Sequence, residues 1–528
     1  MTPEGQAQTM HAKNFRKGSL MSVYLARGFG AALVYAVAAQ AAQADLTAQD
    51  VWSDTKSYLT AAGYTVTGDE QGSGNVLTIS NMALEMSMPE DGSSFGAKLD
   101  RLIFTENGDG TVSIDMPNSL PMTFTGGGND EEPVSGVVTF TQTGNTMVAS
   151  GVPDDFLYTY TATNAGFDLT SLVVDGEPVP LSAARVSVDL DNLASSTRIK
   201  LAEQRNYTQR FSADTLSYDL AFDDPDSDDR GSYVGSINGV GFDGSGAIPI
   251  EMDPSSFDQM LADGFAVDGA FSYASGNADL QGIGDGKPFA VTSASQGGKV
   301  AVKMDASQIA YDVQQNQTAL TMTGADLPFP VAFQAATTAF KIAIPVSKSD
   351  TDQDFAVGVT LTDFTMSDML WAMFDPAAQL PRDPAKVALD LTGKTKVLFN
   401  FLDPTVAASL EDSGESPFEV NALTINNLLV SMVGASLSGT GDFTFDNTDL
   451  VSYDGFPRPA GYVDLKLVGA NGLIDKLTSM GFVGDEEAMG ARMMMGMLAV
   501  PGDSPDTMTS KIEINDQGHV SANGQRIK

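Results

Sequence analysis

The stretch FEVNALTINNLLVSMVGASLSGTGDFTF, residues 418–445, decides the fold because its apolar side chains recur mostly at every second position. Val420 and Ala422 belong to the start of this pattern, and Phe443 and Phe445 end it. Successive side chains of a β-strand point to opposite faces, so the alternation indicates strands with one apolar and one polar face. The glycines between the apolar runs indicate turns or bulges. The stretch therefore predicts consecutive antiparallel strands.

Helical spacing replaces this alternation further along the chain. Asn471 is a candidate N-cap of one helix, and Asp485 is a candidate cap of a second. Strand-like alternation returns around Ile512 and Ile514. Two helices laid across an antiparallel sheet is the simplest assembly of these apolar faces.

Five segments of this half of the chain resemble a known family. They are WAMFDPAAQLPRDPAKVALDLTGKT, GTGDFTFDNTDL, FPRPAGYVDLKLVGANGLIDKL, AMGARMMMGML and the ending ANGQRI. They are similar to an uncharacterised alphaproteobacterial family, domain of unknown function 2125, most specifically over residues 355–528. The resemblance implies an envelope protein, and the family has no established activity or catalytic residues to transfer.

The composition of the 528 residues excludes several classes of function. A net charge of −39 repels phosphate groups, so no nucleic acid partner is expected. The chain has no cysteine, and His519 is its single histidine after residue 44, so thiol catalysis, a serine triad and zinc sites built on cysteine or several histidines are not expected. Paired carboxylates could hydrolyse glycosides, but so many acidic residues make any one pair uninformative. The sequence predicts no enzymatic activity and no cofactor.

Residues 1–44 have the features of a signal peptide. A basic segment precedes the short apolar run GFGAALVYAVAA, and small residues suited to cleavage follow at positions 42–44. An uncleaved anchor is the alternative, but the run is short for a bilayer span. We therefore expect export to the periplasm and, once the signal is removed, a protein that is not integral to the membrane. Translation could start at Met1, Met10 or Met21.

The remaining chain predicts a mainly β protein of extended antiparallel sheets with short helices packed on one side. We expect an N-terminal antiparallel half with a leading helix at residues 45–248 and a β-rich half with short helices at residues 249–528. Helix starts near Thr47, Ser255, Ser367 and Asn471, with a weaker candidate near Val152, suggest a repeat of roughly a hundred residues.

Three groups of residues are candidate sites, each with a simpler structural interpretation. A methionine group could form the apolar wall of a ligand groove or simply fill the core. A basic group could contact an anionic headgroup or lie on a solvated strand face. An acidic group could hold calcium weakly or form a solvated hairpin tip, since it lacks the glycine and glutamate of calcium loops. The groups are Met489, Met493, Met494 and Met497; Arg198, Lys200, Arg205 and Arg210; and Asp224, Asp226 and Asp228.

Two functions fit these observations. The first is an exported, non-enzymatic envelope protein that binds or passes a lipid or other amphiphile along an apolar sheet face. The second is an acidic structural or adhesive protein that interacts with other envelope proteins or with cations. A sheet with one apolar face favours the first by analogy of fold alone.

Overall fold

The computed structural model describes residues 45–88, 92–127, 133–224, 227–251, 257–400, 406 and 416–528. The predicted signal peptide lies outside these residues. These described residues are mainly β, with 64% strand, 11% helix and five short helices, which confirms the predicted fold class. The described residues form two compact units: unit 1 comprises those from 45 to 187 together with 193–198, and unit 2 comprises those in 188–192 and 199–528. The predicted division at residues 248 and 249 falls inside unit 2.

The described residues of unit 1 form one helix and an antiparallel sheet. Its elements are α1 (Ala48–Ala61), β1 (Thr65–Ser73), β2 (Val76–Met88), β3 (Ser93–Glu106), β4 (Val112–Asp115), β5 (Ser119–Gly126), β6 (Val134–Thr143), β7 (Thr146–Val152), β8 (Asp155–Val174) and β9 (Glu177–Pro178). The next strand, β10 (Ala184–Leu201), contributes residues to both units. Strand β3 pairs with β5 near its start and with β4 near its end, while β8 pairs with β7 and then with β6. The weaker helix candidate near Val152 is wrong, because that residue ends a strand.

Helix α1 covers the apolar face of this sheet. Thr47 caps it through a capping box with Asp50, as expected for a helix start of this composition. Trp52 is 1% exposed, and its ring centroid lies 6.0 Å from that of Phe104. Trp52 therefore belongs to the core of unit 1. Burial of such aromatic side chains dominates the stabilisation of a small core.

Two hydrogen bonds satisfy polar groups inside this core. The Tyr158 hydroxyl donates to Asp54 Oδ2 over 3.0 Å, and the Tyr160 hydroxyl donates to Gln142 Oε1 over 2.6 Å. The amide of Gln142 in turn donates to the Pro117 carbonyl. A buried polar group without a partner costs about 1–3 kcal/mol, so these bonds make the aromatic core compatible with its polar atoms.

Alkaline pH is expected to destabilise the protein through Tyr160. Burial raises the pKa of Tyr160 to about 12, whereas an unfolded chain keeps it near 10. Tyr160 therefore stays protonated to a higher pH in the folded state than in the unfolded state. The stability that depends on its neutral form is fully present below pH 10 and is lost as the pH rises towards 12. We expect the free energy of unfolding to fall by about 3 kcal/mol over that interval. Urea titrations of wild type and Tyr160→Phe measure this, and equal alkaline slopes would contradict the assignment.

Unit 2 is a longer antiparallel sheet. After the shared β10, its strands are β11 (Gln204–Asp223), β12 (Arg230–Pro249), β13 (Ala266–Tyr273), β14 (Ser275–Gly284), β15 (Lys287–Ser295), β16 (Gly298–Met304), β17 (Gln308–Gly324), β18 (Val331–Pro345), β19 (Gln353–Met366), β20 (Ala385–Val397), β21 (Phe418–Met432), β22 (Ala435–Asp446), β23 (Arg458–Val468), β24 (Val500–Pro501), β25 (Thr507–Ile514), β26 (Val520–Ala522) and β27 (Gln525–Arg526). The helices among its described residues are α2 (Phe257–Ala262), α3 (Asp368–Phe374), α4 (Ala470–Ser479) and α5 (Asp485–Leu498).

Three of these helix starts can be compared with their predicted caps. Ser367 is the N-cap of α3, as predicted. Helix α4 instead begins after Gly469, and Asp506 accepts hydrogen bonds from the backbone amides of Asn471 and Gly472. A carboxylate distant in sequence thus satisfies the amides that Asn471 was expected to cap. Gly484, rather than Asp485, precedes α5. The start of α2 predicted at residue 255 lies outside the described residues.

A crease runs across the long strands of unit 2. Strand β12 pairs with β14 up to Asn238 and with β13 from Gly241, and Gly239 between them has a φ of +62°. Strand β17 likewise changes its partner from β16 to β15 around Gln317, whose φ is +48°. Asp363 in β19 also has a positive φ. Left-handed residues bend a strand locally, so a line of them folds the sheet.

One buried apolar cluster of unit 2 lies at this crease. Leu190, Ala213 and Val240 form a buried cluster, and further apolar side chains from both sides of the crease pack against it. The partly buried members are Phe211, Leu216, Ile237 and Phe271. Apolar residues on both sides of the bend therefore share one face of the sheet.

Candidate ligand-binding face

Cross-strand pairing in unit 2 aligns apolar side chains into a first apolar row. Directly paired residues of an antiparallel sheet share a face, so a chain of such pairs traces one line across it. This line crosses eleven strands from β11 to β23 without a charged side chain. Its members are Phe211, Phe242, Phe271, Val300, Val313, Phe340, Val359, Leu389, Leu428, Gly439 and Leu465.

A second apolar row lies beside the first. It also crosses eleven strands, from β13 to β26, and its members are Gly269, Val302, Tyr311, Ile342, Val357, Leu391, Ile425, Gly441, Val463, Ile512 and Ala522. Each residue of the second row stands two or three positions from a residue of the first on strands that carry both. We call the two rows together the apolar face.

A β-bulge keeps the two rows aligned in β21. Leu428 pairs with Leu389 and Ile425 pairs with Leu391, so β21 uses one more residue than β20 over the same distance. The extra residue falls at the polar pair Asn426 and Asn427. Without it, the residues beyond would move to the opposite face, because a one-residue shift inverts a strand.

Aromatic rings lie across glycines of neighbouring strands. A Cβ atom added to Gly282 would stand 2.7 Å from Phe289 Cζ, and one added to Gly269 would stand 2.9 Å from Phe242 Cζ. The Phe355 ring occupies the space over Gly393 in the same way. Glycine leaves room for a ring to lie along the sheet, which makes the surface smoother than one of upright side chains.

The apolar face is accessible to solvent over its middle strands. Val300, Tyr311, Phe340 and Val359 are exposed, with Phe340 at 44%, and the other apolar side chains of the rows from β13 to β23 are half-buried. The corresponding surface of unit 1 lies beneath α1. Within the described residues of unit 2, no member of the first row is buried. This surface therefore consists of apolar side chains like those of a core, but they are exposed or half-buried and so remain accessible to a ligand.

The opposite face of the same strands is polar. Lys341 on β18 forms an ion pair of 3.0 Å with Asp390 on β20, passing over Gly358 of the strand between them. Lys394 pairs with Asp354 over 2.7 Å. Exposed pairs of this kind contribute little to stability, and they identify this face as the polar one.

The predicted methionine group lies on one side of α5 and is exposed. Met489, Met493, Met494 and Met497 are 71%, 73%, 56% and 59% exposed, so these four side chains do not fill the core. Their predicted role as a ligand wall stays a prediction.

The predicted basic group does not form one cluster of positive charge that is available to an anion. Arg198 donates two hydrogen bonds to the carboxylate of Asp155, at 2.7 and 2.6 Å. Arg210 pairs with Asp243 over 2.7 Å, Arg205 is buried at 8% exposure, and Lys200 lies exposed on β10. The side chains of Arg198 and Arg210 thus already face carboxylates, and contact of the group with an anion stays a prediction.

The predicted calcium group is described only in part. Asp224 accepts a hydrogen bond from the Ser227 hydroxyl, Asp228 is exposed, and Asp226 lies outside the described residues. Among the residues that the structure describes, no three acidic or histidine side chains come close enough to share a metal ion. His519 follows the turn at Asn515, and its backbone amide donates to Asn515 Oδ1.

The apolar face falls largely within a region that matches the model of a known family. Residues 273–526 match the model of a family described as "Uncharacterized protein conserved in bacteria (DUF2125)". Residues 273–526 are therefore similar to that family. The DUF2125 region begins at the end of β13 and includes every strand of both rows from β16 onward, so the resemblance predicted from five segments is confirmed and extends upstream of residue 355. Searches of curated proteins and of solved structures found no match. No helix among the described residues is both long and apolar enough to span a bilayer.

The alternation that builds the face is visible in the sequence of each strand. Apolar residues alternate in Val300–Met304, Phe340–Ile344 and Val387–Leu391, as is typical of strands. The sequence does not show that these strands align their apolar residues in continuous rows. Register depends on the crease and on the bulge at Asn426 and Asn427, which have no distinct local signal.

Proposed function

We propose that unit 2 binds a lipid or a similar amphiphile along the apolar face. The two solvent-accessible rows are the observation that carries this proposal. Apolar area in contact with water costs roughly 25 cal/mol per Å², and large exposed apolar patches commonly mark interaction sites. Acyl chains would cover this area without needing hydrogen-bond partners, which the rows lack apart from the hydroxyl of Tyr311.

The length of the first row supports more than one bound acyl chain. Its ten steps between neighbouring strands extend over roughly 50 Å at the usual strand spacing. One acyl chain spans about half of the roughly 30 Å hydrocarbon core of a bilayer. The row is therefore roughly three times as long as one chain, and a lipid could move along it without meeting a charged side chain. This geometry favours a protein that passes amphiphiles as well as holding them.

Export would place this face in the cell envelope. The basic and apolar segments within residues 1–44 support secretion into the periplasm. In this proposal the protein acts by offering a surface and makes or breaks no covalent bond. Envelope lipids are then the expected source of the amphiphile.

Native mass spectrometry of protein purified from its own envelope tests the proposal. We expect mass additions that extraction with organic solvent removes, with more than one lipid on part of the population. Protein without lipid, whose melting temperature rises only with calcium, would instead support the acidic interaction protein. A matched sample incubated with phosphatidylcholine vesicles would show whether empty protein can still take up lipid.

A further inference from the structure

Helix α5 has an exposed side that carries no charge after its first turn. Met489, Met493 and Met497 follow each other at intervals of four, and Met494 extends the same side. The opposite side of the helix holds the buried Ala488 and the half-buried Met495 and Leu498. The helix therefore packs through one side and presents methionines on the other.

Other exposed apolar side chains stand on the neighbouring elements. Helix α3 exposes Met369, Met373 and Phe374, and Phe482 is exposed in the turn between α4 and α5. Helix α4 packs against α5. The segment after α3 reaches the end of α4, where the Ser479 hydroxyl donates to Gln379 Oε1 over 3.1 Å. We call α3, α4 and α5 with these connections the helical rim.

Helices α4 and α5 of the rim lie in a segment whose net charge differs from that of the rest of the chain. Residues 458–528 hold seven basic and nine acidic side chains, whereas residues 45–457 hold 18 basic and 58 acidic ones. Arg492 on α5 also forms a 2.5 Å ion pair with Asp475 on α4. A nearly neutral segment can approach a lipid headgroup surface that repels the remainder of the protein.

The chemistry of the exposed side favours lipid over a protein partner. Specific protein interfaces carry about one hydrogen bond per 100–200 Å² and concentrate their affinity in Trp, Tyr and Arg anchors. On α5 the exposed methionines lie near Gly490 and Gly496. The methionine thioethers are not hydrogen-bond donors, and glycine has no side chain. Unbranched thioether chains adapt to a fluid apolar environment.

We propose that the helical rim rests on a lipid bilayer surface, with the methionine side of α5 inserted at the boundary between headgroups and acyl chains. This inference rests on the proposed function, because a protein that carries amphiphiles needs a contact through which they enter. The rim adjoins strands of the apolar face, since α3 follows β19 and α4 follows β23 directly.

Flotation of the full chain with phosphatidylcholine vesicles tests this contact. The rim variant carries Met489→Gln, Met493→Gln, Met494→Gln and Met497→Gln, because glutamine has a similar length and also favours helix. We expect its vesicle partition coefficient to fall at least tenfold below that of wild type. A matched control removes four exposed apolar residues outside the rim and should float as wild type does. Its substitutions are Leu181→Gln, Ile250→Gln, Leu327→Gln and Val451→Gln.

The outcomes separate this inference from the proposed function. Loss of flotation with retained co-purified lipid in the rim variant supports both. Flotation of wild type that carries no lipid, with loss in the rim variant, supports the rim and contradicts the lipid-binding function. A rim variant that floats as wild type does, or a wild type that never floats, overturns the inference. A wild type that dimerises without floating, with a monomeric rim variant, also overturns it and assigns the rim to contact between two copies.

Discussion

Protein carrying Val313→Thr, Phe340→Thr and Leu389→Thr is expected to keep its fold and to bind an acyl probe about a hundredfold more weakly. These residues belong to the first apolar row on β17, β18 and β20. Each substitution removes apolar area worth about 1 kcal/mol of contact with a ligand, and a factor of ten corresponds to about 1.4 kcal/mol. Threonine retains a high preference for strands, so the change falls on the surface and not on the backbone.

The measurement is displacement of a fluorescent fatty acid, with circular dichroism recorded on the same samples. A matched control carries Gln314→Thr, Ala339→Thr and Ala388→Thr, at neighbouring positions of the same strands on the opposite face. This control should bind the probe as wild type does. Equal weakening in both variants would show that binding does not distinguish the faces, and unfolding of the first variant alone would show that its residues are a covered core.

Much of the secondary structure follows from sequence patterns. Whether another element covers the apolar face of a strand does not. Alternating apolar residues predict strands equally well in unit 1, where Phe104 is buried, and in unit 2, where Phe340 is exposed. The difference arises because α1 covers the sheet of unit 1. Single-strand patterns carry no information about such a covering layer, since it depends on contacts between residues distant in sequence.

The position of the crease and the exposure of the α5 methionines could not be predicted from the sequence, because both depend on contacts that local patterns do not encode. Asn192, Gln317 and Asp363 adopt positive φ values inside long strands, where a polar residue alone indicates neither a bend nor its position. The methionines of α5 have helical spacing that fits a core or an exposed side equally well. Their environment is determined by how α5 packs through Ala488, and this contact is not encoded by the periodicity.

Trp52→Ala is expected to cause the largest loss of stability, about 3–5 kcal/mol, because it leaves a cavity beneath α1. The side chain is almost completely buried and packs against Phe104. The second tryptophan provides a matched control. Trp371 on α3 is only half-buried, with its ring 5.0 Å from that of Phe374 and 5.7 Å from the Arg382 guanidinium carbon. Trp371→Ala should therefore cost about 1 kcal/mol, since little apolar area is removed from the interior.

Guanidinium unfolding measures both changes, and each variant retains one tryptophan as a fluorescent reporter of the other unit. Trp52→Ala should shift the circular dichroism midpoint strongly, while Trp371→Ala leaves it nearly in place. The emission of Trp52 in the Trp371→Ala variant should also lie at shorter wavelength than that of Trp371 in the Trp52→Ala variant, because Trp52 is excluded from water. Equal losses of stability would mean that α3 is covered as completely as α1, which would remove the exposed rim on which membrane contact depends.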